Sequence, residues 1–170
     1  MDSTFQFIGL TFKGGRSNDR GGSFVIESYS SGFSGGGHPI TRPKFVDCIF
    51  RDNAAGNSSS NNSSYGEGGA IYSGNANPIF ENCVFDSNYA TSGGAIYLSG
   101  NPESVAYTPT YIRNSKFTDN SASDGGSNFA SAQGGALTIG SVRHIIISNS
   151  SFTNNSATSL NSSARGGAIY

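Results

Sequence analysis

Ionisable and thiol side chains are scarce enough in this chain of 170 residues to be weighed singly: ten Lys and Arg, eleven Asp and Glu, two His and two Cys. Hydrolysis of a glycosidic bond takes two carboxylates flanking it, and calcium-assisted elimination takes several acidic oxygens with a base beside them. Asp52 and Asp119 each lie two residues after a Phe in a recurring Phe-x-x-Asn string. The string between them carries Ser87 at that place, and Asp86 sits one position off. No carboxylate pair therefore falls in neighbouring copies. His38 and His144 stand in different contexts, and no His, Cys and Asp cluster has metal-ligand spacing. Arg113 and Arg143 fall near equivalent places but lack an acidic partner in register. The expectation is a segment with no catalytic residue, no metal and no cofactor.

Cys48 and Cys83 occupy the same place in successive copies. Copies stacked at strand spacing, about 4.8 Å, put their Cα atoms inside the disulfide window but hold the Cβ atoms wider than a relaxed bridge prefers. Two readings stay open, buried stacked thiols and an inter-rung disulfide. Asn-x-Ser/Thr sequons occur at Asn57, Asn61, Asn62, Asn149, Asn154 and Asn161. Asn57, Asn61, Asn62 and Asn161 lie in Ser- and Asn-rich stretches where an N-glycan would fit, whereas Asn149 and Asn154 read as structural.

The elements that carry these groups follow from a repeat. Phe50, Phe85, Phe117 and Phe152 each open a string that ends on Asn53, Asn88, Asn120 or Asn155. Each string is followed by a Gly-Gly-Ala-aliphatic tetrad: 68–71, 93–96, 134–137 and 166–169. A degenerate fifth copy opens the chain with Leu10-Thr11-Phe12 and Gly21 to Ile26. A period in the thirties also suits helical repeats. Recurring Gly pairs, Asn and Ser exclude helices here, and the short alternating apolar pattern reads as strands. Three short strands per unit, each too small to pack alone, imply coils stacked on one another. Phe and the residue two before it share one face, as Cys48, Cys83, Ser115 and Ser150 suggest by being small. Asn82, Asn114 and Asn149, with Asp47 in their place once, mark a bend and can tolerate left-handed backbone. Stacked in register, they and the Phe-x-x-Asn asparagines would form two ladders of amides. Length varies most between the asparagine and the Gly pair, at 54–67, 121–133 and 156–165, so loops are expected to project from one edge.

Composition fits that design. Charged residues make up 12% and hydrophobic ones 35%, with 24 Gly and no Trp. A narrow column needs few apolar residues per coil. A net charge of −1 leaves no electrostatic footprint for nucleic acid, and no apolar run is long enough for a spanning helix.

The fourfold pairing of Phe-x-x-Asn with Gly-Gly-Ala-Ile or -Leu resembles the polymorphic membrane protein repeat, known from chlamydial outer-membrane adhesins and other large surface proteins. The stretch from Phe80 to Tyr97 is particularly similar, and Phe7 to Gly15 is similar to a rung of the pectin-lyase-like group. The resemblance implies an all-β, right-handed parallel β-helix of about five rungs, and a surface, adhesive or scaffold role. Residues 1–170 are expected to form a single segment of a longer solenoid, or a unit stacking end to end. The expected partners are a protein or glycan surface or neighbouring solenoid units, with no nucleic acid and no membrane insertion by this segment. The expected place is extracellular or at the cell surface. The alternatives are a carbohydrate-active β-helix whose catalytic rungs lie elsewhere, and a filament subunit.

Overall fold

A computed structural model of the chain describes residues 5–28, 41–56, 66–100, 109–126, 130–142 and 144–170. Every strand pairs in parallel with its counterpart one repeat away, and no helix occurs among the described residues. The chain is an all-β parallel solenoid. Sheet 1 stacks Gln6–Ile8, Lys44–Val46, Ile79–Glu81, Thr110–Arg113 and Ile145–Ser148. Sheet 2 stacks Thr11–Lys13, Ile49–Arg51, Val84–Asp86, Lys116–Thr118 and Ser151–Thr153. Sheet 3 stacks Arg16–Ser17, Ala54–Ala55, Tyr89–Ala90, Ser121–Ser123 and Ser156–Thr158. Sheet 4 stacks Phe24–Glu27, Ile71–Gly74, Ile96–Ser99 and Leu137–Ile139, and a bridge from Leu137 to Ile169 continues it. A two-stranded fifth sheet pairs Ala132–Gln133 with Ala164–Arg165.

Sheet 3 is one strand per rung more than the sequence suggests. Its strands are two or three residues long, and their inward residue is Ala55, Ala90 or Ala122, all fully buried. A pair of residues ending in alanine gives no alternation long enough to read.

The core is a set of columns running along the coil axis. The sheet 2 phenylalanines are in register, and Phe50, Phe85, Phe117 and Phe152 stack face to face at 4.8, 4.6 and 4.6 Å between centroids. Phe7, Phe45 and Phe80 form a second stack from sheet 1 and meet the first edge-on, as in the 5.5 Å contact of Phe80 with Phe85. Ile71, Ile96 and Leu137 close the third side from sheet 4. Each fully buried Phe contributes about 1.5–3 kcal/mol.

Three corners per rung take positive φ. The corner between sheets 1 and 2 is Gly9, Asp47 (53°), Asn82 (54°), Asn114 (50°) and Asn149 (49°). The corner between sheets 2 and 3 is Gly14, Asp52 (55°), Ser87 (55°), Asp119 (54°) and Asn154 (54°). The corner before sheet 4 is the first glycine of each pair, as at Gly68 and Gly93. Left-handed backbone costs most side chains about 1–2 kcal/mol, and Gly, Asn and Asp carry it most easily. The second glycine of each pair answers a different need. A Cβ on Gly94 would meet the carbonyl oxygen of Gly135, one rung on, at 2.0 Å.

The Phe-x-x-Asn asparagines form a continuous buried ladder. The Asn53 backbone N–H and side-chain amide both donate to Asn88 Oδ1, at 3.2 and 3.0 Å. Asn88 donates likewise to Asn120 Oδ1 at 3.1 and 2.9 Å, and Asn120 to Asn155 Oδ1 at 3.0 and 2.9 Å. The second amide hydrogen of Asn88, Asn120 and Asn155 goes back to the carbonyl of Phe50, Phe85 or Phe117. Every buried polar atom of these side chains is thereby used, which is the condition for burying them. The bend asparagines are exposed, and one side-chain link joins them rung to rung, Asn82 Nδ2 donating to Asp47 Oδ1 at 3.0 Å.

The length of chain between sheets varies at two edges. Beyond the stretches before the Gly pairs, the return from sheet 4 to sheet 1 also varies. It covers 28–43 after the first rung, 75–78 after the second, 100–109 after the third and 140–144 after the fourth. The repeat signature ends at the tetrad, so this second edge falls between copies and escapes a count made inside them.

Candidate functional site

The outer face of sheet 4 lies between those two variable edges. Its outward column runs Val25, Tyr72, Tyr97 and Thr138 in strand register. Beside it, the residue before each Gly pair forms a second column: Arg20, Glu67, Ser92 and Gln133, joined by single backbone bridges, and then Arg165.

Side chains from the two columns interlock. Arg20 Nε donates to Glu67 Oε2 at 2.9 Å, and its Nη1 lies 3.7 Å from Glu27 Oε1. The same guanidinium covers the Tyr72 ring at 4.6 Å, and Tyr72 stacks on Tyr97 at 5.8 Å with the planes 13° apart. Tyr97 hydrogen-bonds to Glu67, and Tyr72 to Ser99. Tyr72 is only 7% exposed although it faces outward, because Arg20 and Tyr97 cover it. Further along, Thr138 Oγ1 donates to the Gln133 carbonyl at 2.8 Å, and Arg165 donates to the Tyr170 hydroxyl at 3.1 Å.

The electrostatics follow the packing. Burial pushes the Glu67 carboxyl above its usual range, against the pull of Arg20. Burial raises the Tyr72 and Tyr97 phenols as well. Burial opposes the charge on Arg20, but Tyr72 and Glu67 outweigh it and hold the guanidinium above its ordinary value. The face thus offers fixed aromatic rings, hydroxyls, a guanidinium and two carboxylates that share it. These are groups suited to recognition through hydrogen bonding and stacking.

A second interlock joins the loops of the last two rungs. Asp124 Oδ1 accepts from the Gly126 N–H at 2.9 Å, and its Oδ2 accepts from the Ser159 hydroxyl. Burial works to raise the Asp124 pKa, but these hydrogen bonds outweigh it and hold the carboxyl below its usual range. Asn161 Nδ2 donates to the Gly126 carbonyl across the same gap.

The residues weighed for chemistry in the sequence are placed as follows. Asp52 and Asp119 are positive-φ corners, and Asp52 faces Lys13 at 3.8 Å. Asp86 lies on the outer face of sheet 2. Arg113 points out of sheet 1, 3.7 Å from Glu81 and over the Tyr111 ring, so it has the acidic partner the sequence did not supply. His144 is exposed. His38, Arg143, Asn57, Asn61 and Asn62 lie outside the described residues.

Cys48 and Cys83 are both buried, and the structure holds them as free thiols. Each Sγ points at carbonyl oxygens and not at the other sulfur: Cys48 at Phe7 and Val46, Cys83 at Phe45 and Glu81, all within 3.3–3.4 Å. Burial raises the Cys83 pKa to about 12. Ser115 and Ser150 continue the column and bond the carbonyls two residues back at 2.9 Å. Asn154 is a solvent-facing corner, while its neighbour Asn155 holds the ladder.

The residues after each Gly-Gly-Ala tetrad give Tyr72, Tyr97, Thr138 and Tyr170 as an outward ladder, whereas Arg20 and Glu67 do not show when residues are compared around Phe or within the tetrads. Aligning the chain on its Gly pairs would have set Arg20 directly over Glu67.

The model of the Chlamydia polymorphic membrane protein repeat matches residues 47–74, 82–99 and 149–170. Three stretches of the chain match this repeat. Each matched stretch begins at the corner between sheets 1 and 2 and runs through sheets 2 and 3 to the Gly pair and beyond. The copy from Asn114 to Leu137 lies outside the matched stretches, yet its strands keep register with the matched stretches beside it. No curated protein and no solved structure matched the chain.

Proposed function

We propose that the chain is part of a cell-surface solenoid that acts as an adhesin or structural scaffold, without catalysis of its own. The name of the matching repeat family, a polymorphic membrane protein of Chlamydia, supports placing it at a cell surface. The observation that carries the reading is the concentration of variable loops on both flanks of sheet 4, around the interlocked Tyr72, Tyr97, Arg20 and Glu67. Binding residues are disproportionately found on loops held by a rigid scaffold. The partner is a protein or a glycan that lies across this face.

The test shortens residues 56–67 and 124–133 to the length of the third-rung connection, 91–92. Adhesion of purified protein to glycan-coated and protein-coated surfaces is then compared with the parent. The expected result is loss of adhesion with unchanged far-ultraviolet circular dichroism. Adhesion that survives the change, or a parent that adheres to neither surface, overturns the proposal. Polymerisation of the parent with rising concentration would favour the filament alternative.

A further inference from the structure

Among the described residues, the two sequons set aside in the sequence as structural are presented to solvent at corners of the coil. Asn149 and Asn154 occupy the two corners flanking the last strand of sheet 2, and both are exposed with φ of 49° and 54°. A residue at such a corner directs its side chain away from the coil. The residues two places on, Ser151 and Ser156, are exposed on the outer faces of sheets 2 and 3, so both required hydroxyls also face solvent. Asn161 differs, because its Nδ2 already donates to the Gly126 carbonyl and helps tie two loops together. The buried ladder is served by Asn155, whose string Asn155-Ser156-Ala157 is no sequon. A glycan on Asn149 or Asn154 would displace nothing. The corners of the earlier rungs, Asp47, Asn82 and Asn114 or Asp52, Ser87 and Asp119, begin no sequon.

We propose that Asn149 and Asn154 are N-glycan acceptor sites, giving the last described rung two glycans on adjacent corners. The inference does not depend on the adhesive reading. The donor is a lipid pyrophosphate-linked oligosaccharide. A bond forms between Asn Nδ2 and the sugar C1, the C1–oxygen bond to the pyrophosphate breaks, and Nδ2 gives up one proton.

The test expresses the whole chain behind a secretory leader in a eukaryotic cell. Intact mass is read on retained and secreted protein together, and acceptor sites are mapped by enzymatic deglycosylation in heavy-oxygen water, which marks each used Asn as labelled Asp. Label is expected at both Asn149 and Asn154. Ser151→Ala and Ser156→Ala should each remove one glycan, at Asn149 and at Asn154 respectively. Both changes lie on exposed outer positions and leave the corner backbone alone. An unmodified chain, or label confined to Asn161, overturns the proposal. Label at only one of the two corners overturns it for the other.

Discussion

From sheet 1 through sheet 3 every rung turns on two residues, as at Asp47-Cys48 and Asp52-Asn53 or Asn114-Ser115 and Asp119-Asn120. On either side of sheet 4 the connection instead ranges from 91–92 to 56–67 on one edge and from 75–78 to 28–43 on the other. The same coil therefore has a side where nothing can be inserted and a side where much can. The difference is set by hydrogen bonding. The fixed side carries the asparagine ladder, whose atoms meet only if each rung arrives in the same phase. Sheet 4 is restored to phase after each loop by the Gly pair, whose backbone N–H groups bond the next rung. A long loop costs little once its ends are pinned, since each doubling of length adds only about 0.6 kcal/mol.

The largest expected effect breaks that re-phasing. Gly94→Ala places a Cβ against the Gly135 and Ser121 carbonyl oxygens, and neither backbone atom can move without separating rungs. A loss of more than about 4 kcal/mol is expected, read as a collapse of the urea midpoint. Next is Asn88→Ala on the fixed side, which leaves two donors of Asn53 unpaired in the interior and takes a side-chain donor from the carbonyl of Phe50. About 3–5 kcal/mol should be lost. Asn88→Asp should not rescue it, because a carboxylate cannot donate to Phe50 or Asn120.

A smaller effect distinguishes a corner from a catalytic group. Asp119→Gly should leave stability within about 0.5 kcal/mol, while Asp119→Val should cost about 1–2 kcal/mol because a β-branched residue resists positive φ. A large loss on Asp119→Gly would mean that its carboxylate matters in itself.

The smallest effect lies on the variable side and depends on pH. The native Asp124 carboxyl titrates below its unfolded value of about 3.9, so its contribution is complete above that value and is lost as pH falls through the native pKa. Asp124→Asn should therefore lower the thermal midpoint slightly at neutral pH and not at all at strongly acid pH. An equal loss at both would point to packing and not charge.

The fixed side was largely legible in the sequence. Its corners demand Asn, Asp or Gly, and its ladder demands Asn, so the backbone requirement shows as a repeated letter at Asn53, Asn88, Asn120 and Asn155. The same pressure accounts for Asp52 and Asp119, whose side-chain type records a φ angle. The variable side was less legible. Its Arg20 to Glu67 contact joins residues 47 apart across an insertion, and the pairing of the two types does not recur in that column. Nothing in backbone geometry fixes an outward side chain, so the Arg20 and Glu67 contact is not marked by a repeated pair of letters.

The ladder also has a direction. Each asparagine gives its backbone N–H and one amide hydrogen toward the following rung, returns the other amide hydrogen to a Phe carbonyl of the preceding rung, and receives at its oxygen from that preceding rung, beginning with Gly15 N–H on Asn53 Oδ1. A rung thus offers its successor the same pattern of donors that its predecessor offered it. A gene encoding such a coil can lose or duplicate one whole period by unequal recombination, and the junction still closes on matching bonds. The number of rungs is then free to vary between related chains, while the phase within a rung is not.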